Sequence, residues 1–126
     1  MSEDHSPAGV VVRFISAWPE GDAAALASYF SDDAVYHNIP MEPIVGREAI
    51  GATFTAFMGM AERIEFETLH IAVDGSIVMT ERIDRFISPA KTIVLPVMGA
   101  FEVVDGKIRA WRDYFDLAQF TTQMSA

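Results

Sequence analysis

Val73-Asp74-Gly75-Ser76-Ile77 and, further along, Val104-Asp105-Gly106-Lys107-Ile108 decide the fold. Each sets an Asp-Gly pair between apolar runs, and both residues of such a pair can take the positive φ that a tight hairpin demands. Working outward from these turns, the residue pattern predicts strands over Ile64–Val73, Ser76–Ile87, Thr92–Val104 and Lys107–Phe115. The second half of the chain is therefore expected to be an antiparallel meander.

The first half reads as helical. Val10, Phe14, Ile15 and Trp18 recur at helical spacing, which predicts an amphipathic helix over about Ala8–Trp18, ended by Pro19-Glu20-Gly21. Asp22 stands where it can cap an Ala-rich helix, Ala23–Phe30. Ala34–Ile39 reads as a short extended segment, Pro40 and Pro43 mark a loop, and Gly46–Met60 reads as a third helix with Ile50, Phe54, Phe57 and Met58 on its apolar side. A last short helix is expected after Asp116, with Phe120 facing inward. Helices followed by a meander make an α+β domain. A single curved sheet wrapped around the helices buries both sets of apolar faces and encloses a cavity. One domain is expected over residues 1–126, with the polar stretches 1–7 and 122–126 flexible.

Composition narrows the function classes. The chain has 126 residues, 51% of them hydrophobic, enough for one packed core. Its formal net charge is −9 and its nine Lys and Arg are scattered, which argues against a nucleic-acid partner. It has no Cys, so disulfides, thiol nucleophiles and thiolate metal sites are excluded together. No stretch approaches the roughly 18 apolar residues of a membrane span. The N-terminal Met1-Ser2-Glu3-Asp4-His5 does not read as a signal peptide, and a cytoplasmic, non-membrane protein is expected. His5, His37 and His70 lack metal-ligand spacing, and neither a Gly-x-Ser-x-Gly elbow nor a phosphate-binding glycine loop is present. Neither a metal nor an organic cofactor is expected.

Three polar pairs lie in apolar surroundings at strand spacing, where residues two apart share a face. In Trp111-Arg112-Asp113-Tyr114-Phe115, the carboxylate of Asp113 shares a face with two large aromatics. Burying it there is costly unless it is paired or protonated. A purely structural ion pair would satisfy the same pattern. In Glu81-Arg82-Ile83-Asp84, Arg82 and Asp84 share a face with Val78 and Phe86; alone, such a pair usually stays solvated. In Tyr36-His37-Asn38, the phenol and the amide can hold one water between them; alone, the motif reads better as a core aromatic Tyr36 and an Asn38 that begins the turn before Pro40.

Combined, the pairs suggest chemistry. One guanidinium can bridge two carboxylates with its fixed fork of donors. Two Asp around one Arg leave a surplus negative charge, and a single proton held on the pair neutralises it. Such a pair offers a general base beside a general acid.

Tyr36-His-Asn38-Ile-Pro40, Thr80-Glu-Arg82-Ile-Asp84 and Gly106-Lys-Ile-Arg-Ala-Trp111-Arg-Asp113-Tyr-Phe115-Asp-Leu117 resemble the limonene-1,2-epoxide hydrolase family, in order and in spacing, over about Gly9 to Phe120. The resemblance implies a curved mixed six-stranded sheet forming a cone around an apolar pocket, packed with three to four helices, as in the nuclear transport factor two-like superfamily. It implies a homodimer. It also implies that Asp113 activates water held with Tyr36 and Asn38, that Asp84 protonates the epoxide oxygen, and that Arg82 bridges the two carboxylates. The substrate would be a small apolar epoxide, cyclic or terpene-like, and the product a vicinal diol. Periodicity together with the resemblance gives a pocket walled by Ile15, Trp18, Phe57, Phe86, Leu95, Val97, Phe115 and Phe120. The tight turn at Ser88-Pro89-Ala90 and Pro96 inside a strand depart from the family pattern. Two other readings fit the same fold: an isomerase or polyketide cyclase of the ketosteroid isomerase and SnoaL-like types, and a non-catalytic small-molecule-binding cone.

Overall fold

The computed structural model describes residues 4–126, so the expectation for residues 1–3 lies outside the described residues. Helix α1 spans Pro7–Ser16. Ser6 caps it by accepting from the Gly9 N–H, and Pro7 supplies a first position with no N–H to satisfy. Trp18 does not continue α1 but opens a short 3-10 helix, Trp18–Glu20, which Gly21 ends with a φ of 68°.

Helix α2, Ala23–Ala27, is capped by Asp22 as expected but stops earlier than the predicted Phe30. Phe30 instead opens β1, Phe30–Asn38, where it aligns with Ile108 and is fully buried. Long-range pairing has overridden the local helical continuation. The loop after Pro40 contains a two-residue strand β2, Ile44–Val45, before α3, Arg47–Met58. The meander follows as β3 (Arg63–Asp74), β4 (Ile77–Ile87), β5 (Thr92–Val104) and β6 (Lys107–Tyr114), and α4 (Leu117–Ser125) closes the chain.

The two hairpins differ. Asp105 and Gly106 both have positive φ, 52° and 76°, and form the expected turn. At the first hairpin Asp74 pairs with Ile77, so the turn is Gly75-Ser76 and Asp74 belongs to the strand. Gly75, at φ 59°, takes the first turn position, as glycine does in a type II′ turn.

All six strands join one mixed sheet in the order β2-β1-β6-β5-β4-β3, left open at its ends. The β1–β6 pair is parallel and the others antiparallel. Helix α1 packs on β3, β4, β5 and β6 at once, as it can when the sheet curls around it. The core holds Phe14, Trp18, Phe30, Phe54, Phe101 and Trp111, all but fully buried, with Phe14 edge-on to four of the others' rings and tilted to Phe54.

Strand β5 outruns β6, which pairs with it only from Met98 onward. Along the uncovered edge, the Gln123 side chain of α4 takes a strand's place. Its Oε1 accepts from the Val94 N–H at 2.8 Å and its Nε2 donates to the Val94 carbonyl at 2.7 Å. The end of α4 is thus tied to the sheet through Gln123. Pro96, two residues from Val94, turns its N–H-less nitrogen to the same uncovered edge, where no ladder bond is lost.

Candidate active site

The concave face carries a ladder of aligned residues. Tyr36 on β1, Trp111 on β6 and Phe101 on β5 are register partners. Their rings stack: Tyr36 on Trp111 at 4.3 Å between centroids, and Trp111 on Phe101 at 5.2 Å. One step along the strands, Asn38, Asp113, Gly99 and Thr80 are aligned across β1, β6, β5 and β4. The period of two that places the stack thereby also places the polar row.

Arg82 is fully buried and spends all five N–H groups on side-chain oxygens. Its Nε and Nη2 donate to Asp84 at 3.0 and 2.8 Å. Its Nη1 and Nη2 donate to Asp113 at 3.2 and 2.8 Å, and Nη1 also donates to Thr80 Oγ1 at 3.1 Å. The two carboxylates are each only 4% exposed, and Trp111 Nε1 gives Asp113 a further donor at 2.7 Å. The Phe66 ring lies 5.0 Å from the guanidinium carbon, within cation–π range.

The electrostatics follow from this packing. Burial pushes Asp84 up to about 6; the charge and hydrogen bonds of Arg82 oppose the rise, and the charge of Asp113 adds to it. Burial disfavours the charge on Arg82, but the two carboxylates outweigh it and hold the guanidinium ionised. Burial, reinforced by the charge of Asp113, pushes the Tyr36 phenol well above its ordinary range. Tyr36 is therefore a neutral donor, and its Oη donates to Asn38 Oδ1 at 3.2 Å.

These groups form one wall of a cavity of about 200 Å³, reached by Tyr36, Asn38, Asp84 and Asp113. Of the apolar residues expected to line it, Trp18, Phe57, Phe86, Leu95, Val97, Phe115 and Phe120 do so. Ile15 does not: it is buried in the core cluster, because the helical face it shares with Phe14 packs on the sheet. Met41, Met60 and Phe66 also line the cavity and were missed. Phe66 aligns with Asp84 in the β3–β4 register, which the strand pairing could have suggested; Met41 sits in a loop that carries no periodic signal, and Met60, expected at the end of the third helix, lies past its end at Met58. Thr80 and the Trp111 donor were also missed as parts of the site, although each lies two residues before a site residue on the same face. His37 and His70 stand apart: His37 Nε2 meets the Met41 carbonyl at 2.8 Å, and His70 pairs with Glu81 on the exposed side of the sheet. Among the described residues, no group of three His, Asp or Glu side chains is placed to hold a metal ion.

Two buried carboxylates, one of them with a raised affinity for its proton, are bridged at the wall of an apolar cavity beside a Tyr–Asn pair, a geometry suited to acid–base chemistry. The family model described as the limonene-1,2-epoxide hydrolase catalytic domain matches residues 5–125. The chain belongs to this family. Membership of the limonene-1,2-epoxide hydrolase family makes it an enzyme of the epoxide hydrolase kind. It is 38% identical over 109 residues to epoxide hydrolase EphG of Mycobacterium tuberculosis (strain ATCC 25618 / H37Rv), covering 85% of this chain and 71% of that protein. The solved structure of an M. tuberculosis LEH-like epoxide hydrolase superposes with a TM-score of 0.77 at 32% identity, over 92% of this chain and 86% of that one. A protein with a ketosteroid isomerase-like fold from Catenulispora acidiphila DSM 44928 reaches a TM-score of 0.82 at 19% identity, over 92% of each chain, a likeness of fold alone. Dispersal of the Asp, Arg, Tyr and Asn groups would have favoured the isomerase reading; Arg82 instead holds both carboxylates, and Asn38, which accepts from Tyr36, is the register partner of Asp113.

Proposed function

We propose that this chain adds water in one step to a small apolar epoxide, cyclic or terpene-like, to give a vicinal diol. The observation that carries the reading is the single guanidinium of Arg82 holding Asp84 and Asp113 side by side at the cavity wall. Water held by Asp113, Tyr36 and Asn38 attacks an epoxide carbon and gives its proton to Asp113. The carbon–oxygen bond breaks as Asp84 delivers its proton to the departing oxygen. Both atoms of charge change are served at once, which suits a strained ring, and no covalent enzyme intermediate forms. The cycle leaves Asp113 protonated and Asp84 ionised, so one proton must pass from the former to the latter while Arg82 keeps them in register.

The apolar remainder of the cavity supports a hydrocarbon-like substrate body. The reading includes a homodimer, a cytoplasmic location and no bound cofactor; light scattering of the purified chain checks the first of these, and turnover in the presence of a chelator checks for a metal.

Two measurements test the chemistry. Asp113→Asn should keep the fold and abolish diol formation from cyclic epoxides; substantial residual turnover removes Asp113 as the base. In a single turnover in oxygen-18 water, label should enter the diol directly. Label appearing first in a protein carboxylate would mean a covalent ester route and overturn the one-step reading.

A further inference from the structure

Arg82 stands on β4 and Asp113 on β6, so the guanidinium reaches its second carboxylate by lying across β5. The β5 residue beneath it is Gly99, register partner of Thr80 on one side and of Asp113 on the other. A Cβ built on Gly99 would collide with Arg82 Nη1, and would stand 2.7 Å from Asp113 Oδ1 and 3.0 Å from Thr80 Oγ1. The Asp113 and Thr80 oxygens are the two acceptors of Nη1. A side chain at position 99 would therefore occupy the ground on which this edge of the guanidinium rests.

Backbone torsion does not require glycine here. The positive-φ glycines are Gly21, Gly46, Gly75 and Gly106, and Gly99 is not among them. Leu95, Val97 and Phe101, on the same face of β5, carry full side chains and are buried. Space is thus the reason for a bare backbone at this one position. Asp113 cannot simply move aside, because Trp111 Nε1 holds the same Oδ1 that a methyl group would crowd.

We propose that Gly99 is a positioning residue for the hydrolysis: its missing side chain forms the bed that lets one guanidinium fork onto Asp84 and Asp113 at once. This rests on the reading of those two carboxylates as acid and base. A methyl group at position 99 lifts the guanidinium from β5 and loosens its hold on Asp113. The strand itself can carry alanine without backbone strain.

The test is Gly99→Ala made in two backgrounds, the native chain and Arg82→Lys, whose ammonium has no rigid fork to displace. In the native chain we expect unaltered far-ultraviolet circular dichroism, kcat lower by about a hundredfold and KM within about twofold. In the Arg82→Lys background, adding Gly99→Ala should lower kcat by about tenfold or less, the part that comes from crowding Asp113 Oδ1 directly. Native-like turnover by Gly99→Ala, or the same proportional loss in both backgrounds, overturns the proposal. If Gly99→Ala fails to fold while Arg82→Lys/Gly99→Ala folds, the clash is with the guanidinium and the proposal stands. If both fail to fold, the glycine serves the strand and the proposal falls. Should the native enzyme turn over no epoxide, carboxyl carbon-13 titration of Asp84 still decides the matter. Its midpoint should rise in Gly99→Ala, because Asp113, released from part of the guanidinium's hold, presses its charge more fully on Asp84; an unmoved midpoint overturns the positioning role independently of the reaction.

Discussion

Trp111 Nε1 donates to Asp113 Oδ1 at 2.7 Å, so the aromatic two residues upstream on the same strand solvates the carboxylate that it also helps to bury. Its ring is meanwhile clamped between Tyr36 and Phe101, which fixes the direction of that N–H. Trp111→Phe preserves an aromatic in the stack and removes the donor. We expect a folded protein less stable by about 1–3 kcal/mol, the usual result of leaving a buried acceptor short of a partner. Diol formation should fall about tenfold in kcat as Asp113 loses part of its alignment. Chemical denaturation and steady-state kinetics read the two effects separately.

Asp84 sets a pH dependence with a definite sign. Its folded-state value is raised to about 6 from 3.8, so the folded chain holds this proton more tightly than the unfolded chain. Stability from this group is full at low pH and is lost as pH rises from the unfolded value through about 6. The loss saturates near 3 kcal/mol as an order of magnitude, at about 1.4 kcal/mol per unit. Asp84→Asn should flatten that part of the stability profile and abolish diol formation. For the native enzyme, kcat/KM should decline as pH rises past about 6, since the proton that the proposed reaction draws from Asp84 is then lost. A profile still rising through neutral pH would contradict the role of Asp84 as the acid.

Gln123 anchors the helix that carries Phe120 to the cavity. Phe120 meets Phe86 edge-on at 5.8 Å between centroids, and the Gln123–Val94 pair holds α4 along β5. Gln123→Ala removes three exposed hydrogen bonds, two with the Val94 backbone and one to the Gln119 carbonyl, each worth about 1 kcal/mol. Amide exchange should quicken across residues 117–125. KM for apolar epoxides should rise about fivefold or more while kcat changes little, because the wall loosens and the acid–base pair does not.

Much of the architecture was legible along the chain. The hairpin residues, the alternating strands and the cap residue Asp22 each act through neighbours in sequence. The misreadings share a cause. Phe30 and Trp18 left their predicted helices because partners far along the chain took them: β6 for Phe30, the core rings for Trp18. Ile15 was assigned to the pocket for the same reason, since periodicity reports that a residue faces inward and not what it faces.

The candidate site divides along a similar line. That Arg82 and Asp84 share a face, that Asp113 shares one with Trp111, and that Tyr36 shares one with Asn38 were properties of the sequence by itself, because strand period two is a local rule. The meeting of these faces was decided by tertiary structure alone. It depended on β5 lying between β4 and β6, on β1 joining β6 in parallel, and on a register that sets Gly99 under the guanidinium. Strand order and register come from competition among distant apolar surfaces and backbone edges, and no window of neighbouring residues contains that competition.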